Sequence, residues 1–235
     1  VAIPGFARLG KNFVTWTTNN ADSDAKALPY DVVAGNLIVV GVACWRTTAN
    51  TSIGVTDDRS TSYSTLLAST GVAWGGGTGK PAIAYGVAGS SGACTITINP
   101  NDASNYWRAF AMELDDTNAT PLDVNGGEST GTSTAPSDSL TTLVNQAFVI
   151  GVAAYADGVV TLTPDAPNLQ LDEDETAGQQ PYGVAGKILA TAGATSVAWT
   201  LGGSKAWSVY TASFAPVASG GGGGLKLVGR GGLAG

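Results

Sequence analysis

The chain has 235 residues, of which 12% are charged and 43% hydrophobic, with 33 glycines and no histidine. Charged residues are about half as frequent as in an average soluble domain. Eleven Lys+Arg against 18 Asp+Glu give a formal charge of −7, and with no basic stripe this excludes a nucleic-acid-binding surface. The lack of histidine removes the commonest general base and metal ligand. The longest apolar run, 37–45, is too short to span a bilayer, so no membrane partner is expected.

In chain order, the expected strands are 13–17, 37–45, 82–87, 95–98, 107–114, 148–155, 159–163, 184–189, 197–201 and 207–214. Each is short, rich in β-branched or aromatic residues, and bounded by Gly, Asn, Asp or Pro. No stretch keeps a 3.6-residue apolar period over three turns, so the expectation is an all-β chain. Residues 115–139, containing TPLDVNGGESTGTSTAPSDS, read as a polar, small-residue-rich connection.

A repeat runs through these strands. IVVGVA (38–43) returns 110 residues later as FVIGVA (148–153), SGACTITI (91–98) returns after 101 as AGATSVAW (192–199), and WRAFAMEL (107–114) returns after 100 as WSVYTASF (207–214). Three matches in one order point to a duplicated multi-strand unit. Each copy supplies about five strands, few for a closed sandwich of its own. The expected architecture is therefore a single jelly-roll-like β-sandwich over residues 1–217, with repeats at about 33–115 and 140–215. A Gly-rich tail over 218–235 follows it.

Several motifs resemble ones that carry chemistry in other proteins. GGGTGK (75–80) lacks the leading glycine of a phosphate loop, since Trp74 holds that place and Pro81 follows Lys80; it reads as a hairpin loop. Asp172, Glu173, Asp174 and Glu175 offer oxygens that could suit Ca²⁺, but no glycine folds them inward, so they read as a solvated acidic turn and no metal is assigned. Asp57 with Asp58, Asp115 with Asp116, and 99–102 read as Asx-type turns. Cys44 and Cys94 lie in separate apolar runs and are compatible with one bridge or two buried thiols.

Trp107 and Trp207 occupy matching places in the two repeats and read as core, whereas Trp74 lies among glycines and is the candidate surface contact. The many Ser and Thr residues have no histidine to activate them. No catalytic residue and no cofactor is assigned, and the chain reads as a non-enzyme.

Five glycines, 220–224, then open a spacer ahead of LKLVGR. Glycine lets the chain leave the domain in any direction. LKLV alternates in the manner of a strand half-buried on one surface. Leu225, Lys226, Leu227, Val228 and Arg230 are thus expected to bind a partner, the leucines filling pockets while the main chain joins a sheet edge.

The succession AGNLIVVGVA, VTDDRSTSYSTLLAS, YGVAGSSGACTITI, WRAFAMELDDTNATPLDVNGGESTGTSTAPS and NQAFVIGVAA resembles a duplicated-repeat β-sandwich family. That family occurs in tailed-phage virion proteins and in bacterial secreted or surface proteins, and its members read AGDLLVV, VTDSxGNxY, YxVAxxG, PLDxxxxxxG and LVIGxxA. The resemblance runs from Val33 to Phe214, with Asn36 where members often carry Asp and DRSTS (58–62) in place of a Gly-Asn turn. Its motifs are turns and strands, so it implies a structural role in the virion or at the cell surface rather than chemistry. The implied protein is a capsid decoration or other head- or tail-attached component, assembling through extended termini with copies of itself or a neighbouring virion protein. The alternative is a secreted carbohydrate-binding or adhesion module at the bacterial surface, with a glycan as its ligand.

Overall fold

A computed structural model describes residues 12–19, 22–47, 52–100, 106–115, 117–156, 160–175 and 179–217. They form seventeen strands and no helix. The first nine are β1 Phe13–Asn19, β2 Asp24–Ala27, β3 Leu37–Arg46, β4 Gly54–Asp57, β5 Ser64–Leu67, β6 Val72–Trp74, β7 Gly77–Val87, β8 Thr95–Asn99 and β9 Tyr106–Leu114. The remaining eight are β10 Thr117–Ser133, β11 Ser137–Thr141, β12 Ala147–Tyr155, β13 Leu162–Pro164, β14 Leu169–Asp174, β15 Tyr182–Leu189, β16 Ala194–Leu201 and β17 Lys205–Pro216.

A six-stranded sheet has the order β1-β9-β3-β7-β5, with β6 also paired to β7, and a five-stranded sheet has the order β10-β17-β12-β15-β14. Two three-stranded sheets, β2-β8-β4 and β11-β16-β13, complete the fold. The orders coincide when β1, β2, β3, β4, β5, β7, β8 and β9 are exchanged for β10, β11, β12, β13, β14, β15, β16 and β17.

The central strands β3 and β12 are apolar on both faces because both faces are covered. Leu37, Val39, Phe110 and Met112 share one core with Phe148, Ile150, Tyr182 and Phe214, so the two large sheets close on each other. The opposite face of β3, with Ile38, Val40 and Val42, packs on Ile96 and Ile98 of β8. The opposite face of β12, with Val149 and Ala153, packs on Val197 and Trp199 of β16.

Tyr85 and Phe214 bring their rings to 5.2 Å across the central core. Further along, a Cβ on Gly41 would meet Val152 at 2.9 Å. These two levels show that β3 and β12 run in the same direction and start at the same end of the molecule.

Register corrects one part of the repeat. Leu37 faces Leu114 and Phe148 faces Phe214, which matches β3 to β12 at 111 residues rather than the 110 of IVVGVA and FVIGVA. In a strand a one-residue slip exchanges faces. Ile38 accordingly lies in an outer core while Phe148 lies in the central one. The spacing of 100 agrees with the ladders: Trp107 pairs with Cys44, Trp207 with Tyr155, and both tryptophans are buried.

A second correction concerns 115–139. The stretch expected as a connection holds the longest strand, β10, and the start of β11. β10 follows β17 from Thr117 opposite Pro216 to Ser133 opposite Lys205, with register shifts near Leu122, Val124 and Gly127. Bulges break its alternation. Its glycines serve close approach: a Cβ on Gly131 would meet the Trp207 ring at 2.6 Å, and one on Gly126 would meet the Thr211 hydroxyl at 2.2 Å.

Candidate functional site

Charged side chains join the two large sheets, beginning with the acidic run. Leu169 to Asp174 is not a solvated turn but strand β14, on the edge of the five-stranded sheet beside β15. Asp174 Oδ2 accepts from Arg108 Nε at 2.7 Å, and Arg108, on β9 of the other sheet, is buried to 2% exposure. Arg108 also donates to the Trp107 carbonyl at 3.0 Å. Glu175 Oε1 accepts the Leu162 N–H at 2.5 Å, and Asp172 accepts the Tyr182 hydroxyl. Glu173 Oε2 accepts from Gln170 Nε2 at 3.1 Å, so the four acids point to separate partners, and among the described residues no three acidic or cysteine side chains gather as a metal site.

Burial, with Asp174 and Glu173 adding repulsion, pushes the Asp172 carboxyl up to about 7. A carboxyl whose folded pKa is raised contributes stability below its unfolded value near 3.8 and loses it as pH rises through about 7. Asp172→Asn is therefore expected to raise stability relative to wild type at pH 8, by no more than ~4 kcal/mol, and to leave little gain at pH 4. Urea midpoints at the two pH values check this.

On the opposite flank, Glu128 of β10 reaches the β5–β6 turn. Its Oε2 accepts the Thr70 N–H at 2.8 Å and the Ser69 hydroxyl at 3.0 Å. Its Oε1 accepts the Gly71 N–H at 2.6 Å and the Ser208 hydroxyl at 2.7 Å. Gly71 has φ +74, and an added Cβ would lie 2.5 Å from the Gly79 carbonyl oxygen, so the turn needs glycine there.

Burial works to raise the Glu128 pKa, but the Thr70 and Gly71 amides and the two hydroxyls outweigh it and hold the carboxyl below its usual range. This stabilisation is present above the unfolded value near 4.5 and is lost as pH falls through the lower folded value. Glu128→Gln should cost about 2 kcal/mol at pH 7, and the gap from wild type should close in acid. Thermal melts from pH 7 to pH 3 provide the check.

Two more carboxylates hold loops at the end where β3 and β12 begin. Buried Glu113 accepts the Val33 N–H at 2.8 Å, the Asn36 amide at 2.6 Å and the Asn12 amide at 2.5 Å. Asp123 accepts the Ser213 hydroxyl at 2.8 Å and the Leu143 N–H at 3.2 Å. Ser213 is the counterpart of Glu113 in the strand order, so the second half carries the acid on the neighbouring strand instead.

Trp74, the candidate surface contact, closes β6 and is half-buried. Its ring lies 5.2 Å from Trp45, which in turn lies 5.5 Å from Tyr106. The Trp74 indole N–H donates to Gln180 Oε1 at 3.2 Å, and its carbonyl accepts the Trp45 indole N–H at 3.0 Å. The glycine stretch beside it forms a hairpin turn, with Gly75 and Gly76 at φ 55 and 81, the two positive values of a type I′ turn.

Cys44 and Cys94 are buried and unbridged, and burial followed by Asp57 and Asp58 pushes the Cys94 thiol up to about 12, which makes it a poor nucleophile. Asp57 Oδ1 accepts the Arg59 and Thr61 N–H groups at 2.9 and 3.1 Å, an Asx-type turn. Leu225, Lys226, Leu227, Val228 and Arg230 lie outside the described residues, as does Asp116.

Sequence reasoning identified the acids of β14 but not Arg108, Glu113 or Glu128. The one available signal was an Arg and a Glu, Arg108 and Glu113, inside an otherwise apolar strand, a place where a charge needs a partner. No family model, curated protein or solved structure matches this chain.

Proposed function

We propose that the chain is a non-enzymatic structural protein of a tailed-phage particle, a capsid decoration or other head- or tail-attached component. In this reading it is a β-sandwich made of two copies of one unit, held in the particle through its extended termini. The observation that carries it is the use made of the strongest polar groups. Glu128 and the Arg108–Asp174 pair join the two sheets, and Glu113 and Asp123 hold loops in place. Groups committed in this way favour rigidity over reaction. The identical strand orders support the duplicated unit, and the glycine spacer with LKLV supports attachment.

A second reading, a glycan-binding module, draws on the row Trp74, Trp45 and Tyr106. Quantitative mass spectrometry of purified phage particles separates the two. The proposal expects this chain in a fixed ratio to a major head or tail protein. Absence from the particles, with retention on a polysaccharide column that Trp74→Ala abolishes, would replace it with the second reading.

A further inference from the structure

Single exposed apolar side chains are ordinary on a protein surface. Their distribution here is not. Among the described residues the exposed large hydrophobics are Phe13, Tyr30, Val33, Leu143, Leu169 and Val217, and all six lie at or toward the end where β3 and β12 begin. Phe13 opens β1 opposite Met112, near the close of β9. Tyr30 and Val33 belong to the loop ahead of β3, tied by their N–H groups to Asn12 and Glu113.

Leu143, 73% exposed, belongs to the loop ahead of β12 and is tied to Asp123. Val217 follows β17 directly, and Leu169 opens β14 opposite Gly186. The internal segments outside the described residues contain only one large aliphatic side chain, Val159, and no aromatic. Val33 and Leu143 both lie in the loops ahead of the two central strands, and each has its N–H held by a carboxylate, Glu113 and Asp123 respectively. The fold thus presents an apolar residue on a held loop twice, at one end. Apolar surface gathered in this way marks an interaction site.

The described chain also leaves at this end, through Val217, and its glycine run starts three residues later. Seven residues separate Val217 from Leu225, a reach of up to ~28 Å when extended. In an extended LKLV segment Leu225 and Leu227 fall on one side. Residues 218–235 carry Lys226 and Arg230 and no acid, while Asp31 and Asp115 lie in the loops at this end.

We propose that this apolar end is the docking face for residues 225–228 of a second copy of the chain. The inference rests on the assembly reading of that segment and names its receptor. Because the face and the departing segment share one end, two copies meeting there can each supply the other. This closes as a two-fold pair rather than propagating as a filament.

Sedimentation velocity of the full chain, up to about 100 µM, tests the idea with the variants Leu143→Asp, Leu225→Asp and their combination. Leu143 is exposed, so its variant should melt with the wild type. The wild type should form dimers. Each single variant should weaken them about tenfold or more, and the double variant no further, because the two residues serve one contact. A chain monomeric throughout overturns the inference, including the case where the segment covers its own end. So does a dimer that Leu225→Asp disrupts and Leu143→Asp leaves intact. A monomeric chain still found in purified particles overturns only this inference, and a dimer absent from particles overturns only the assembly reading.

Discussion

Alanine at Arg108 is expected to lower stability by about 3–5 kcal/mol at pH 7. The guanidinium is 2% exposed and meets Asp174 at 2.7 Å. Without it, β14 keeps Asp172, Glu173 and Asp174 at a sheet junction with their nearest buried cation gone. Removing one member of a buried pair leaves the other's desolvation unrelieved. Arg108→Met with Asp174→Leu should recover most of the loss, since it removes both charges and keeps the volume. Urea unfolding of the single and double variants measures this. A loss under about 1 kcal/mol for Arg108→Ala would mean that the pair behaves as a surface contact and does not secure the two sheets.

Phe214→Ala is the second large effect, at about 3–5 kcal/mol. Phe214 is fully buried, pairs with Phe148 in the ladder, and touches Tyr85 of the first half at 5.2 Å. Its cavity would open in the core that both large sheets share. The expected signature is a lower melting point with one transition that carries both halves. Hydrogen exchange provides the decisive detail: amides of β3 and β12 should lose protection together. If β3 kept its protection while β12 lost it, the halves would have separate cores.

The strands that could be read from sequence are those whose side chains need burial on both faces, such as β3 and β12, or that alternate cleanly, such as β8 with Ile96 and Ile98. β10 could not be read because it is an edge strand of small polar residues whose bulges break the period of two, and because its glycines answer to Trp207 and Thr211, more than 70 residues away. β14 reads LQLDED, an alternation that three acids obscure; the partner that lets Asp174 sit at a junction, Arg108, is 66 residues away.

The strands β3 and β12 were legible, yet their expected match was one residue out. IVVGVA and FVIGVA share four of six letters when aligned at 110, while the faces depend on pairing with β9 and β17. The polar junctions of Glu128 and Glu113 depend on contacts across the chain in the same way and leave almost no local trace.

The central claim is that this rigid body is a particle component attached through the segment after its glycine spacer. Deletion of residues 225–235 tests it most directly, with two readings on the same variant. The melting temperature should stay close to that of the full chain, because the described cores contain none of those residues, and incorporation into phage particles should be lost. A truncated chain that melts normally and still enters particles at full occupancy would contradict the account.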